Sequence, residues 1–471
     1  MSAASSLRLR DTLSGEVRPL EPLEPDHVRI YSCGPTVYGP THIGNFRSFL
    51  FADLLVRYLR YRGLRVTWVM NVTDIDDRII AKANEAGESI GDLTGRWLER
   101  FKADFVAMRM TPPDVLPRAT EHIPEMAALI GTLLEKGHAY RTDDGSIFFR
   151  ISSWPAYGRL ARLDPENLRV GERVEADEYG KDDVRDFALW KGPKPGEPSW
   201  DTPIGPGRPG WHIECSAMSM KHLGESFDVH TGGVDLIFPH HEDEIAQSEA
   251  STGRTFVRTW LHCDHLRLGG TKMARRVGNV ARVQELLDEG VSPRALRYAL
   301  ISVNYRQPLE YTDDSIAAAT AAIERLDTIE STLDAYVEDR ADAEDLEGVL
   351  TGARARFEAA LDDDLNVSAA LAALFDLVRE LNRRIADRSL SSADAARALD
   401  TLRDLDRVLA ILPDEVADLP AGAAELLSAR EQARAARDWV ASDRLRDELA
   451  ALGVAVEDSR DGQRWKRLEV V

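Results

Sequence analysis

Apolar and polar positions along the chain set out a series of elements before any residue is assigned a task. "VRIYSCG" (28–34) alternates as a strand does, and "PTVYGPT" (35–41) follows as a turn-rich loop. The next stretch, "HIGNFRSFLFADLLVRYLRYRG" (42–63), places apolar residues at 46, 49, 50, 54, 55, 58 and 59. That spacing predicts a helix with one buried face. Gly63 ends it, and "LRVTWVMNV" (64–72) reads as a second strand. Strand, glycine-bearing loop, helix and strand make a βαβ unit, which belongs to a parallel sheet with its ligand at the strand ends.

Helical patterns continue over 77–137, and "YRTDDGSIFFRIS" (140–152) predicts a strand pair around a DG turn. Residues 164–210 are polar and rich in Gly and Pro, the texture of an insertion. Apolar structure resumes at "GWHIECSAMSMKHLG" (210–224) and "FDVHTGGVDLIFPHHEDEIAQSEA" (227–250), as if the sheet were being completed. Ser292 and Pro293 open a further helix as N-cap and first-turn residue. From about 311 to 412 the pattern is almost all helical and predicts a bundle. "LPDEVADLPAGAAE" (412–425) reads as a linker. Beyond it, "LLSAREQARAARDWVASDRLRDELAALG" (426–453) reads as one long helix followed by short strands with a DG turn.

The expected division is a Rossmann-type α/β first half over 1–137, a connective insertion over 138–210 and the second half over 211–265. A loop region over 266–310, a helical bundle over 311–415 and a small α+β domain over 424–471 follow.

Composition narrows the class. At 471 residues, about three domains are expected. With 44% hydrophobic and 30% charged residues the chain is globular rather than disordered. "MSAASSLRLRDTLSGEV" (1–17) has arginines but no apolar core behind them, so no signal peptide is expected, and no apolar run approaches the ~18 residues of a membrane span. The three cysteines (Cys33, Cys215, Cys263) are scattered and never form a CxxC pair, which suits a reducing compartment. A cytoplasmic protein is expected. The net charge of −21 does not advertise a nucleic-acid binder, yet residues 421–471 carry nine Lys and Arg against ten Asp and Glu. The acidic excess therefore lies elsewhere, and any RNA contact must use local patches.

Three segments carry candidate chemistry. In "PTVYGPTHIGN" (35–45), a histidine and a glycine open a helix just after a strand. Free N–H groups and the positive helix end suit a phosphate, and Gly44 lets a flat base approach the backbone. Downstream, "GGTKMARRVGN" (269–279) is a glycine loop carrying Lys272, Arg275 and Arg276, which by itself reads as a solvated basic turn. In "FPHHEDEIAQSEA" (238–250), a helix starting at Pro239 stacks His240 over Glu244, either as a surface pair or as half of a metal site. An HExxH protease is excluded, because Ile245 stands where the second histidine must be.

The first two segments, in this order and flanking a split sheet, resemble the HIGH and KMSKS signatures of class I aminoacyl-tRNA synthetases. "YSCGPTVYGPTHIGN", "NVTDIDDRI", "GWHIECSAMS", "GGVDLIFPHHEDEIAQS" and "ARDWVASDRLRDEL…VEDSRDGQRW" are closer still to the cysteinyl-tRNA synthetase family, in the family's order from about residue 28 to 467. The resemblance implies a zinc site of Cys33, Cys215, His240 and Glu244, an acceptable tetrahedral donor set. It leaves His241 to packing around that site and Cys263 as a buried thiol.

By the same resemblance, His42, Asn45, Lys272 and Arg275 are catalytic. ATP is held by His42, Gly44, Asn45, Gly232, Gly233, Asp235, Lys272 and Arg275, with Mg2+. Thr73, Asp74 and Trp211 contact L-cysteine, while Arg434, Trp439, Asp443 and Asp458 contact the anticodon. The implied reaction activates L-cysteine with ATP and transfers it to tRNA-Cys, in a monomer with one zinc. Bonding of sulfur to zinc supplies a discrimination against serine that shape alone provides poorly.

The loop departs from KMSKS. Here it reads "KMARR", with Ala274, Arg275 and Arg276 replacing Ser, Lys and Ser. Guanidinium and ammonium differ in reach, so a slower activation step is expected. Two other readings are the cysteine ligase of mycothiol synthesis, which lacks the anticodon-binding tail, and a non-catalytic zinc-containing tRNA-binding relative. The tail segment speaks against the first and the intact ligand positions against the second.

Overall fold

A computed structural model of the chain describes residues 6–163, 185–273, 280–413, 420, 422–459 and 462–467. An antiparallel hairpin of β1 (Arg8–Asp11) and β2 (Glu16–Pro19) comes first. Then β3 (His27–Ser32), α1 (Ile43–Tyr61) and β4 (Arg65–Met70) form the βαβ unit, with the two strands parallel and paired from His27–Arg65 to Ser32–Met70.

Every apolar position that marked the helix in the sequence is buried. So are Arg47 and Asp53, which the one-face pattern left to solvent. The reason is that α1 is covered twice, by the sheet on one side and by later helices on the other. Asp53 bonds Arg297 at 2.6 Å with neither side chain exposed, and Arg47 donates to the carbonyls of Asp264, Leu300, Asn304 and Gln307. Buried charges persist only when paired or hydrogen-bonded in this way.

Helices α2 (Asp77–Ala86), α3 (Ile90–Ala107) and α4 (Ile123–Glu135) lead to a second sheet of β5 (Ala139–Arg141), β6 (Ile147–Phe149), β7 (Phe187–Lys191) and β8 (Arg208–Pro209), antiparallel throughout. The DG turn is there, with Gly145 at φ 85°. The texture of 164–210 hid β7, whose five residues are all buried. Residues 164–184 lie outside the described residues.

After α5 (Trp211–Leu223), the main sheet is completed by β9 (Phe227–Gly233) and, beyond α6 (Glu242–Thr252), by β10 (Val257–Cys263). Its order is β10-β9-β3-β4, all parallel. From β3 the chain winds outward to β4, and from β9 it winds outward the other way to β10. The crevice at the carboxyl ends of β3 and β9 is therefore the topological switch point, where open α/β sheets bind their ligands. Cys33 leaves one lip and Gly232–Gly233 close the other.

Beyond it, β11 (Leu266–Leu268) pairs with β12 (Thr271–Lys272) and with β13 (Leu309–Tyr311), with α7 (Val283–Asp288) and α8 (Pro293–Ile301) between them. The bundle is α9 (Asp313–Asp334), α10 (Leu346–Asp362), α11 (Val367–Ala386) and α12 (Ser392–Leu409). Its core is continuous with the side of the sheet that carries α1. The tail holds α13 (Ala423–Ala435), α14 (Trp439–Ala451), β14 (Val454–Ser459) and β15 (Gly462–Arg467) around a small core of its own. The single long helix expected over 426–453 is two. Arg437 takes φ 59°, in the left-handed region, and the Asp438 side chain accepts from Ala441 N–H to start the second. No helix among the described residues is long and apolar enough to cross a membrane.

Candidate active site

Four side chains from three distant segments meet at the switch point. Cys33 follows β3, Cys215 lies in the second turn of α5, and His240 and Glu244 flank the start of α6. The two Sγ atoms are 4.0 Å apart, and His240 Nε2 stands 3.1 Å from Glu244 Oε1. All four donor atoms lie within 4.8 Å of one another. His240 is not on a regular helix from Pro239 as the sequence read. Ile237–His241 form an irregular turn with Phe238 extended, and α6 begins at Glu242. The pair is buried, which rules out the surface reading.

The electrostatics follow from that packing. A hydrogen bond with Cys33 pulls the Cys215 thiol down to about 6, while burial and the neighbouring sulfur push Cys33 well up. Against its burial, Cys215 and Glu244 carry His240 up to about 10. Also against burial, His230 and His240 hold Glu244 down at about 2. A thiolate and a carboxylate facing one imidazolium make an anionic pocket suited to a cation.

A histidine network surrounds the four. His230 Nε2 bonds the other Glu244 oxygen at 2.9 Å. His241 Nε2 lies 3.3 Å from Cys33 Sγ, and its Nδ1 bonds His262, which in turn bonds Thr12 Oγ1. Burial keeps His262 down at about 3. Cys33, His230, His241 and Glu244 therefore make a second grouping with metal-ligand spacing. The sequence reading missed His230, His262 and His212, whose only signal is a histidine inside an otherwise buried segment.

The crowded acids of 242–244 have separate uses. Glu242 accepts from the backbone N–H groups of Gly158, Leu160 and Ala161, pinning the insertion to α6. Asp243 accepts from Tyr157 and faces His212 Nε2 at 3.3 Å, whose Nδ1 is 2.9 Å from His240 Nδ1.

Trp211 stacks on His240 with ring centroids 4.2 Å apart and is 41% exposed, a ring at the mouth of the cluster. Thr73 is buried and donates to Glu214. Asp74 is buried and accepts from Arg118 and from Thr120 N–H and O–H.

At the other end of the crevice, His42 is the N-cap of α1, its Nδ1 accepting from Asn45 N–H at 3.2 Å. A Cβ on Gly44 would come within 2.9 Å of that ring, and one on Gly232 within 2.6 Å of the His241 ring. Gly233 leads to Asp235, which accepts from Lys272 at 2.9 Å. Ile43 N–H donates to Ala281, so the chain returns from the glycine loop to the first turn of α1. Arg275 lies outside the described residues. Cys263 is buried below, away from the cluster, with Arg47 as a neighbour.

In the tail, the Arg434 guanidinium sits 5.7 Å from the centre of the exposed Trp439 ring. Asp443 is exposed one turn on, and Asp458 is in β14, opposite Gln463.

The chain matches the tRNA synthetases class I (C) catalytic domain family over residues 19–321, a DALR domain over 356–413 and the cysteinyl-tRNA ligase anticodon binding domain over 416–465. The cysteine–tRNA ligase of Alkalilimnicola ehrlichii is 46% identical, covering 98% of this chain and 100% of its own length. That of Symbiobacterium thermophilum is 45% identical over 98% and 99%. Among solved structures, the methionyl-tRNA synthetase of Mycobacterium tuberculosis in complex with methionyl-adenylate aligns at a TM-score of 0.58 with 17% identity, covering 82% of this chain and 90% of that one. A LeuRS ternary complex from Agrobacterium radiobacter aligns at 0.60 with 12% identity, covering 83% and 85%. These last two likenesses concern the fold alone.

Proposed function

The chain belongs to the cysteine–tRNA ligase family of class I tRNA synthetases, and on that premise we propose that it selects L-cysteine through zinc held by Cys33, Cys215, His240 and Glu244. The ligase reaction has two steps. The cysteine carboxylate attacks the α-phosphorus of ATP and releases pyrophosphate, and a hydroxyl of the tRNA-Cys 3′ end then takes the cysteinyl group and releases AMP.

The four-atom cluster, half-buried at Cys33 and buried at the other three, carries this reading. With zinc–sulfur bonds of about 2.3 Å, two tetrahedral ligand sulfurs stand about 3.8 Å apart, and the Sγ atoms here are 4.0 Å apart. The set with both thiolates is preferred to the one with His230 and His241. In it, those two rings are left to bond Glu244 and Cys33, the outer support that ligands ordinarily receive. When bound, zinc supplies a soft acid that a cysteine thiolate satisfies and a serine hydroxyl does not.

The remaining roles are assigned to the chain's own groups. Trp211 closes the side-chain pocket, and Thr73 receives the substrate ammonium. His42, Asn45 and the free N–H groups opening α1 stabilise charge on the ATP phosphates, entering with Mg2+. Gly44, Gly232 and Gly233 give the adenosine close approach, Asp235 takes a ribose hydroxyl, and Lys272 and Arg275 hold the pyrophosphate. Arg434, Trp439, Asp443 and Asp458 read an unstacked anticodon base. The enzyme is taken as a cytoplasmic monomer. Charging of tRNA-Cys with radiolabelled cysteine tests the reading: label on tRNA-Cys is expected. Cysteine-dependent pyrophosphate exchange without transfer to tRNA would favour a tailless-type cysteine ligase instead.

A further inference from the structure

A second pair of imidazoles meets outside the site described above, where α4 packs on α5. His122, the residue just before α4, and His222, in the last turn of α5, face each other with their Nε2 atoms 3.0 Å apart and ring centroids at 5.1 Å. His122 Nδ1 bonds the Arg118 carbonyl at 2.8 Å. A carbonyl only accepts, so that nitrogen carries a proton, and Nε2 of the neutral ring presents a lone pair to His222. Burial first, then His122 and Lys221, push the His222 imidazole below its ordinary range, toward the neutral form that binds metal. Two lone pairs this close repel, so one proton lies between the nitrogens, whichever ring supplies it.

The same arrangement suits a cation in place of that proton. A metal-bound histidine ordinarily donates its other N–H to a carbonyl or carboxylate, which fixes tautomer and ring orientation, and the Arg118 carbonyl does this for His122. With zinc–nitrogen bonds of about 2.0–2.1 Å, two tetrahedral ligand nitrogens stand about 3.3 Å apart, and two at a right angle about 2.9 Å. The 3.0 Å spacing is that of two ligands on one ion. His222 is half-buried, so an ion can enter and water can fill its remaining positions. Glu125, in the first turn of α4, pairs with Lys221 at 2.9 Å and sets a negative charge near both rings. We propose that His122 and His222 are the protein ligands of a divalent first-row transition ion such as zinc, nickel or copper. The displaced proton passes to His222 Nδ1 or to water. His222 lies seven residues, or about 10 Å, along α5 from Cys215, so this ion shares no ligand with the cysteine cluster and the proposal does not depend on that cluster's role. It clamps α5, which carries Cys215, to α4, whose lead-in holds Asp74 through Arg118 and Thr120.

Isothermal titration of zinc into purified full-length protein, first loaded with zinc and then desalted, tests the site. The parent is expected to take up one further equivalent. His222→Gln and His122→Gln are each expected to weaken that equivalent by about tenfold or more. Added zinc should also raise the melting temperature of the parent, because an ion held only by the folded chain stabilises it, and leave that of His222→Gln unchanged. Should His122→Gln not fold, the half-exposed His222 decides alone. No further equivalent in the parent, or one that a folded variant binds as tightly as the parent does, overturns the proposal and leaves a hydrogen-bonded pair. A melting temperature raised equally in parent and His222→Gln does the same.

Discussion

Lys272 donates to Asp235 at 2.9 Å and so ties the strand that enters the glycine loop to the end of β9. One link thus joins the segment expected to hold pyrophosphate to the residue expected at the ribose. Lys272→Ala removes a phosphate-directed charge, a change that in comparable sites costs about a hundredfold in rate. The expected outcome is a hundredfold lower kcat for cysteine-dependent ATP–pyrophosphate exchange with cysteine affinity unchanged. An unaltered kcat would show that the loop does not act through this residue.

A second prediction concerns pH. Asp406, on α12, accepts from Ile411 N–H at 2.7 Å, and burial raises its carboxyl to about 6. A raised carboxyl favours the folded state below its unfolded value and loses that contribution as pH climbs through about 6. Asp406→Asn keeps an accepting oxygen without the charge. Relative to the parent it is expected to gain on the order of 1 kcal/mol between pH 4 and pH 8 in denaturant titrations. A stability difference that does not vary with pH would contradict the assignment.

The tail has its own core of Ala423, Leu427, Leu449, Val454 and Val456. Truncation near residue 420 should therefore leave pyrophosphate exchange intact. Loss of the Arg434–Trp439 platform should lower kcat/KM for tRNA-Cys by about ten- to a hundredfold, the worth of stacking a base or two. Loss of exchange in a folded truncate would count against separate duties for the two ends of the chain.

How legible each part was depends on how far away its partners lie. The spacing of Phe46, Phe49, Leu50, Leu54 and Leu55 announces α1 because their periodicity is local. Arg47 and Asp53 in the same helix looked solvent-facing, since what covers them arrives more than 200 residues later, at Asp264 and Arg297. Glu242, Asp243 and Glu244 carried no local sign of what holds them, for the same reason. Their partners Gly158, Tyr157 and His230 come from the insertion and from β9. Phe187–Lys191 was hidden by the Gly- and Pro-rich residues around it. The break at Arg437 had a local signal in Asp438, an N-cap type ahead of a fresh helix, but alanine-rich flanks masked it. The resemblance placed the four cluster residues, and their meeting at the switch point is what the fold adds.

The central claim is that metal–sulfur bonding chooses the amino acid. It is tested most directly by the ratio of kcat/KM for L-cysteine over L-serine in pyrophosphate exchange, measured on the parent and on Cys215→Ser with zinc analysed in the same samples. The account predicts a zinc-containing parent with a ratio of about 10⁴ or more, falling to about 10² or below as zinc is lost in the variant. A parent that is active without zinc, or a variant that keeps the full preference for cysteine, would contradict it.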